Sequence, residues 1–283
     1  MDTVAKYYQE HYDEDQRLKT DNARKIEFLT TVEFLDKVIP KNSRILDIGA
    51  GTGIYSFYYA ERGYEVVSTD LTPKHVYAIK SRIQNSDKKL NMRAEIVDGK
   101  DLSRFDDESF DVVFCFGPLY HLTNSDDRIS AVSESLRVLK KDGILALAYI
   151  NRFYVFSRLV KDNKKYLTDE WVGRIINEGM VSSSDEECFW TDAYFYTPQE
   201  FETMMNGFST EKIWDIGVDG ISTLLSQTVN EMNEDEYKVW LKYHFMTCME
   251  PSILGYSNHG LYKSEEIEFL GVRRITMRSR KGA

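Results

Sequence analysis

Arg44-Ile45-Leu46-Asp47-Ile48-Gly49-Ala50-Gly51-Thr52-Gly53, followed by Glu65-Val66-Val67-Ser68-Thr69-Asp70, decides how this chain is read. Ile45, Leu46 and Ile48 form a short apolar run suited to a central parallel strand covered on both faces. Gly49, Gly51 and Gly53 let the backbone turn sharply and approach a ligand with no side chain between them. Residues 54–62 read as a helix, with Gly63 placed as its C-terminal cap. Asp70 then stands at the tip of the next strand, where a carboxylate accepts hydrogen bonds from both hydroxyls of a ribose.

Glycine spacing separates two cofactor classes that use such a unit. A dinucleotide fingerprint, G-x-G-x-x-G, would place its third glycine at position 54, which is Ile54. The pattern is instead D-x-G-x-G-x-G, and here the sequence resembles the class I S-adenosylmethionine-dependent methyltransferases of small-molecule type. That resemblance implies S-adenosyl-L-methionine as cofactor. It implies that Gly49, Ala50, Gly51 and Gly53 pass under the methionine part, that Asp47 helps bind its amino group, and that Asp70 and Leu71 hold the ribose.

Further matches follow in order. Residues 91–97 read as a third strand running into Asp98-Gly99-Lys100-Asp101-Leu102, which resembles the family's acidic segment near the adenine. Asp98 is thereby assigned to the adenine amino group, and Gly99 to the ring. Residues 110–116 form a fourth strand ending in Gly117-Pro118-Leu119-Tyr120-His121-Leu122, so Phe116 and Gly117 join the cofactor-binding set. Residues 126–140 read as an amphipathic helix packed through Ile129, Val132, Leu136 and Leu139, closed by Asp142-Gly143, and residues 144–150 begin a fifth strand. The implied fold is α/β: a Rossmann-like, doubly wound, seven-stranded sheet, mostly parallel with an antiparallel last strand, plus a helical cap insertion.

Four regions are expected along the chain. Residues 1–20 are a lid arm, with Tyr12 and Arg17 as candidate cofactor contacts. Residues 21–150 are the cofactor-binding core, opened by a helix capped at Asp21 or Asn22 and ended by Pro40. Residues 151–196, dense in aromatic side chains, are a helical cap. Residues 197–283 return to the core with a second helical excursion and a basic tail containing Arg273, Arg274, Arg278, Arg280 and Lys281. In the return segment Thr197-Pro198-Gln199-Glu200 is a capping box with a proline start. Residues 256–262 read as the last strand. If that strand is antiparallel, its beginning lies at the ligand-binding edge, near the mouth of the pocket. His121 and His259 are therefore the candidate general bases, and His11, His75 and His244 have no context that lifts them above packing or surface roles.

Composition sets limits. A net charge of −10 argues against the phosphate-neutralising surface that nucleic-acid binding needs. GPLYHL lacks the N-P-P-Y or D-P-P-Y sequence by which DNA and amide methylases grip a planar nitrogen, so a small-molecule acceptor is expected. No apolar run approaches membrane-span length, and residues 1–3 begin neither a signal nor a transit peptide. Three widely spaced cysteines form neither a disulfide framework nor a zinc pattern, so no metal is expected and a reducing cytoplasm is the simplest setting. Two rivals share the core residues: a cofactor-binding sensor or scaffold without catalysis, and an NAD-dependent oxidoreductase, which Ile54 disfavours.

Overall fold

The computed structural model describes residues 3–10, 17–18 and 20–266. In chain order the elements are α1 (Thr3–Glu10), α2 (Asn22–Leu35), β1 (Arg44–Ile48), α3 (Ile54–Ala60), β2 (Glu65–Asp70), α4 (Pro73–Gln84), β3 (Met92–Ile96), β4 (Phe110–Cys115), α5 (Ser125–Val138) and β5 (Leu139–Ile150). Then come α6 (Arg152–Asp162), α7 (Asp169–Val172), β6 (Met180–Val181), β7 (Ala193–Tyr194), α8 (Pro198–Met205), β8 (Thr210–Gly217), α9 (Ser226–Glu231), α10 (Glu234–Thr247), α11 (Pro251–Leu254) and β9 (His259–Glu266).

Seven of these strands form one sheet in the order β3-β2-β1-β4-β5-β9-β8, and β9 runs antiparallel to both its neighbours. Side chains alternate across it. Leu46, Ile48, Val113, Cys115, Leu145 and Leu147 enter one apolar layer, while Ile45, Val112, Phe114, Ile144 and Ala146 enter the other. The period of two therefore makes an apolar strand serve two cores at once. Parallel register sets Ile48 beside Thr69 and Cys115, and antiparallel register sets Ile150 beside His259. The C-terminal ends of β1, β2, β4 and β5 thus share one edge with the start of β9.

Local chemistry explains the element boundaries. Asp21 caps α2 by accepting from the Arg24 N–H, and the capping box at Thr197 and Glu200 is formed in both directions. Three expectations are corrected. α5 stops at Val138, because Leu139 already pairs with Phe110 in the sheet. Ile129, expected on its packed face, is 47% exposed. The last strand starts at His259, since residues 256–258 turn past the end of α11. The segment between β5 and α8 also holds a two-stranded antiparallel ribbon, β6-β7, around the polar stretch 182–187, which helical spacing did not foresee.

Asn151 ties this segment to the core. Its side-chain amide, fully buried, donates to the Leu254 and Ser257 carbonyls at 3.0 and 2.8 Å. Asn151→Leu strands the Ser257 carbonyl, whereas the Leu254 carbonyl keeps the Ser257 N–H, and the expected result is a loss of about 1–3 kcal/mol in urea unfolding. A variant as stable as the parent would refute the role.

Candidate active site

Two cavities open at the carboxyl edge of the sheet, and they share Tyr8 and Tyr120. The first, about 130 Å³, is lined by Gly49, Gly51, Asp70, Leu71, Asp98, Gly99 and Gly117 from the strand ends, by His75 and by His121. Val4, Ala5 and Tyr8 of α1 roof it.

Steric requirements explain its glycines. Gly49 has φ +70°, and a Cβ there would meet Pro118 Cδ at 2.7 Å; a Cβ on Gly99 would meet Ile48 Cγ2 at 3.0 Å. Gly49→Ala should therefore cost about 1–3 kcal/mol of stability by forcing the turn away from Pro118. Thermal unfolding of that variant checks it, and an unchanged midpoint would count against the cradle.

Asp70 is a double anchor. Its Oδ2 accepts from the Gly51 N–H at 2.8 Å and its Oδ1 from the Thr72 N–H at 2.7 Å, fixing the glycine turn against the start of α4. Each carboxylate oxygen has capacity left for another donor. Asp98 orders its own turn by accepting from the Lys100 N–H at 3.0 Å. His75 lies with Nδ1 3.2 Å from Asp70 Oδ1, yet both ring nitrogens are buried without a hydrogen-bond partner. This histidine had been set aside in the sequence. Its signal was position alone, five residues past the strand-end acid and inside the first turn of the following helix.

Other expected residues lie elsewhere. Asp47 is sealed behind the glycine turn, where Ser56 Oγ donates to it at 2.6 Å and Ser68 Oγ donates to Ser56 at 2.7 Å. Burial pushes its carboxyl up to about 7 against the lowering pull of Ser56. Ala50 packs towards Phe57 and Val76, Gly53 precedes α3 with its Cα against Ile79, and Phe116 stacks on Phe114; these three also stand behind the first cavity's wall. Tyr12, His11 and the basic tail lie outside the described residues.

Arg17 reaches the second cavity, not the first. That cavity, about 580 Å³, falls in the range of small-molecule sites. At its buried end Arg17 Nη1 donates to Glu27 Oε2 at 2.7 Å, and the same oxygen is 3.3 Å from His259 Nδ1. Asp219 Oδ2 lies 3.1 Å from Nδ1 and accepts the His259 backbone N–H at 2.8 Å. His259 is thus not at the mouth but in the interior, with Asn258 beside it. Burial disfavours the charged ring, but Glu27 and Asp219 outweigh it and hold His259 above its ordinary value of 6.5, with Arg17 opposing. Nε2 makes no hydrogen bond among the described residues. Glu27, Asp219 and His259 have ligand-type atoms within 4.8 Å of one another, an arrangement that no metal had been expected to need. Arg17 supplies the cation on Glu27, and His259 faces Asp219.

His121 is built differently. Its Nδ1 lies 3.1 Å from the Asp192 carbonyl and its Nε2 3.0 Å from the Tyr8 hydroxyl. A carbonyl only accepts, so Nδ1 carries the proton and Nε2 accepts from Tyr8. Both nitrogens are committed to holding the roof and the ribbon together.

This geometry meets its relatives in sequence. A family profile described as "Methyltransferase domain" matches residues 46–147. The chain is 30% identical over 183 residues to the ubiquinone biosynthesis O-methyltransferase of Haemophilus ducreyi, covering 60% of this chain and 72% of that protein. The chain belongs to the class I S-adenosylmethionine-dependent methyltransferases. This methyltransferase-family chain is also 36% identical over 108 residues to a glycine/sarcosine N-methyltransferase of Parasynechococcus marenigrum, covering 38% of each. It spans between 38% and 51% of the length of three of the curated relatives it matches. A solved methyltransferase from Methanosarcina mazei superposes with a TM-score of 0.57 at 19% identity, covering 83% of this chain and 97% of that one, which shows the methyltransferase fold.

The first cavity fits the family cofactor on its own features. Gly49 and Gly99 line it with bare backbone, since Pro118 and Ile48 stand where a Cβ would be, and His75 offers two unpartnered buried nitrogens beside Asp70. Among the described residues no helix is long and apolar enough to cross a membrane.

Proposed function

We propose that the chain transfers a methyl group from S-adenosyl-L-methionine to a small-molecule acceptor held in the second cavity. The observation that carries this reading is the pair of chambers meeting at Tyr8 and Tyr120, one walled by the glycine turn and Asp70, the other ending at His259. When bound, the cofactor supplies a sulfonium-activated methyl carbon.

Asp70, with Leu71 beside it, receives the ribose hydroxyls; Asp98 and Gly99 receive the adenine; Gly49, Gly51 and Gly117 admit the rest. His259 acts as general base. Asp219 accepts a hydrogen bond from the Nδ1–H, which leaves the Nε2 lone pair for the acceptor's O–H or N–H. An imidazolium at His259 would lie between Glu27 and Asp219, whose carboxylates would stabilise its charge. His121 is assigned a positioning role, because neither of its nitrogens is available to take a proton. Tyr8, Tyr120 and Trp190 exclude water from the junction, and orientation of this kind accounts for about 7–11 kcal/mol of a barrier.

The regional division stands as part of the proposal: residues 1–20 as arm, 21–150 as cofactor core, 151–196 as cap, 197–283 as return. A cytoplasmic setting is supported by Cys115, Cys188 and Cys248, all free thiols. The test is incubation with methyl-labelled cofactor and a cell metabolite extract. Label in a small molecule is the expected outcome; cofactor binding without any transfer would replace the enzyme by a sensor.

A further inference from the structure

The acceptor chamber is polarised, and the polarity follows burial. At its inner end the side chains of Glu27, Asp219 and His259 are 10%, 2% and 9% exposed. At its outer end Arg24, Arg158 and Lys165 are 48%, 37% and 40% exposed, and Asp162 is the acid that lines the chamber among them. Between the two ends the wall is apolar, formed by Tyr154, Val155, Leu159, Phe189 and Trp190.

The inner end is net acidic when His259 is the neutral base: Glu27 and Asp219 stand there with Arg17 as their cation. The outer cations sit in more exposed pairs. Arg158 pairs with Asp162 one helical turn away, Lys165 lies 3.5 Å from Glu187, and Arg24 lies 3.8 Å from Asp21. Exposed pairs of this type contribute about 0–1 kcal/mol, so a ligand anion exchanges for them at little cost. Three exposed cations on the lining of one chamber also stand out on a chain of net charge −10, whose general field repels anions.

Resting on the methyl-transfer reading above, we infer that the acceptor is an apolar-bodied acid. It presents its hydroxyl or amine to His259 at the buried end and its carboxylate to Arg158, Lys165 and Arg24 at the opening. The two ends are chemically opposite, so the molecule enters in one orientation: reversal would bring its carboxylate against Glu27 and Asp219. No group is oxidised or reduced. The acceptor loses one proton to the His259 Nε2, forms one bond to the methyl carbon, and the carbon–sulfur bond breaks with its electron pair left on sulfur.

Calorimetry on the full chain tests the inference with three probes of one shape: 3-(4-hydroxyphenyl)propionate, its primary amide, and tyramine. The acid is expected to bind at least about tenfold more tightly than either. That preference should shrink several-fold between low and high salt, and it should vanish in Arg158→Gln/Lys165→Gln, whose folding is checked by thermal unfolding. Amide or tyramine binding as tight as the acid would overturn the inference. So would saturable binding of none of the three, or a double variant that keeps the full preference. The salt series on the unaltered chain decides the matter even if the variant does not fold. S-adenosylmethionine titrated separately keeps the two readings apart: ranked acids without cofactor binding would end the methyl-transfer reading, whereas cofactor binding with unranked probes would end this one.

Discussion

His259→Gln is expected to lower methyl transfer by about 10²–10⁴-fold while leaving S-adenosylmethionine affinity within about twofold, because the ring serves the acceptor chamber and not the cofactor wall. The unaltered chain should show a matching pH profile. Glu27 and Asp219 hold the ring above 6.5. Only the neutral ring accepts a proton, so activity is lost as pH falls through this raised value, and the acid limb lies above pH 6.5. Glu27→Gln removes one of the raising charges and should move the limb to lower pH. Stability runs the other way: a raised histidine stabilises the fold fully below its unfolded value, and that contribution disappears as pH rises through the folded one. Unchanged turnover in His259→Gln, or a limb unmoved by Glu27→Gln, would remove the histidine from the chemistry.

Asp70→Ala should weaken S-adenosylmethionine binding at least tenfold by calorimetry. Hydrogen bonds to a charged group contribute about 1.5–3 kcal/mol each, and two ribose hydroxyls lose theirs together. The same side chain orders the glycine turn through the Gly51 and Thr72 N–H groups, so part of the loss is geometric. Asp70→Asn separates the parts, since its amide oxygen still accepts one backbone bond while the charge is gone. Equal affinity in the alanine variant would reject the ribose assignment.

Most of the fold was legible because its determinants are local. An apolar run, three glycines and a strand-end acid describe β1, its turn and β2 within 27 residues, and each later strand repeats the signal. The burial of Asp47 was not legible in this way. In a strand its side chain shares a face with Ile45, towards α3 and Ser56, whereas the resemblance implied a face open to the ligand. The base cluster was even less accessible. Glu27 comes from α2 and Asp219 from the turn after β8, and only the sheet order brings them to His259. Arg17 sits where Glu27 draws it, a partner no spacing rule could name. His75 escaped because burial beside Asp70 depends on the angle at which α4 leaves the sheet. The β6-β7 ribbon has two residues a side, too few for alternation to register.

Helix α1 is eight residues long, and a helix of that length does not persist in water by itself. It stays in place through clasps at both ends: Thr3 Oγ1 donates to Asp192, the Tyr8 hydroxyl to His121, and Lys74 reaches Gln9. Its Tyr8 borders both chambers. In the proposed reaction the spent nucleoside lies under this helix, so its release is expected to wait for these few bonds to let go.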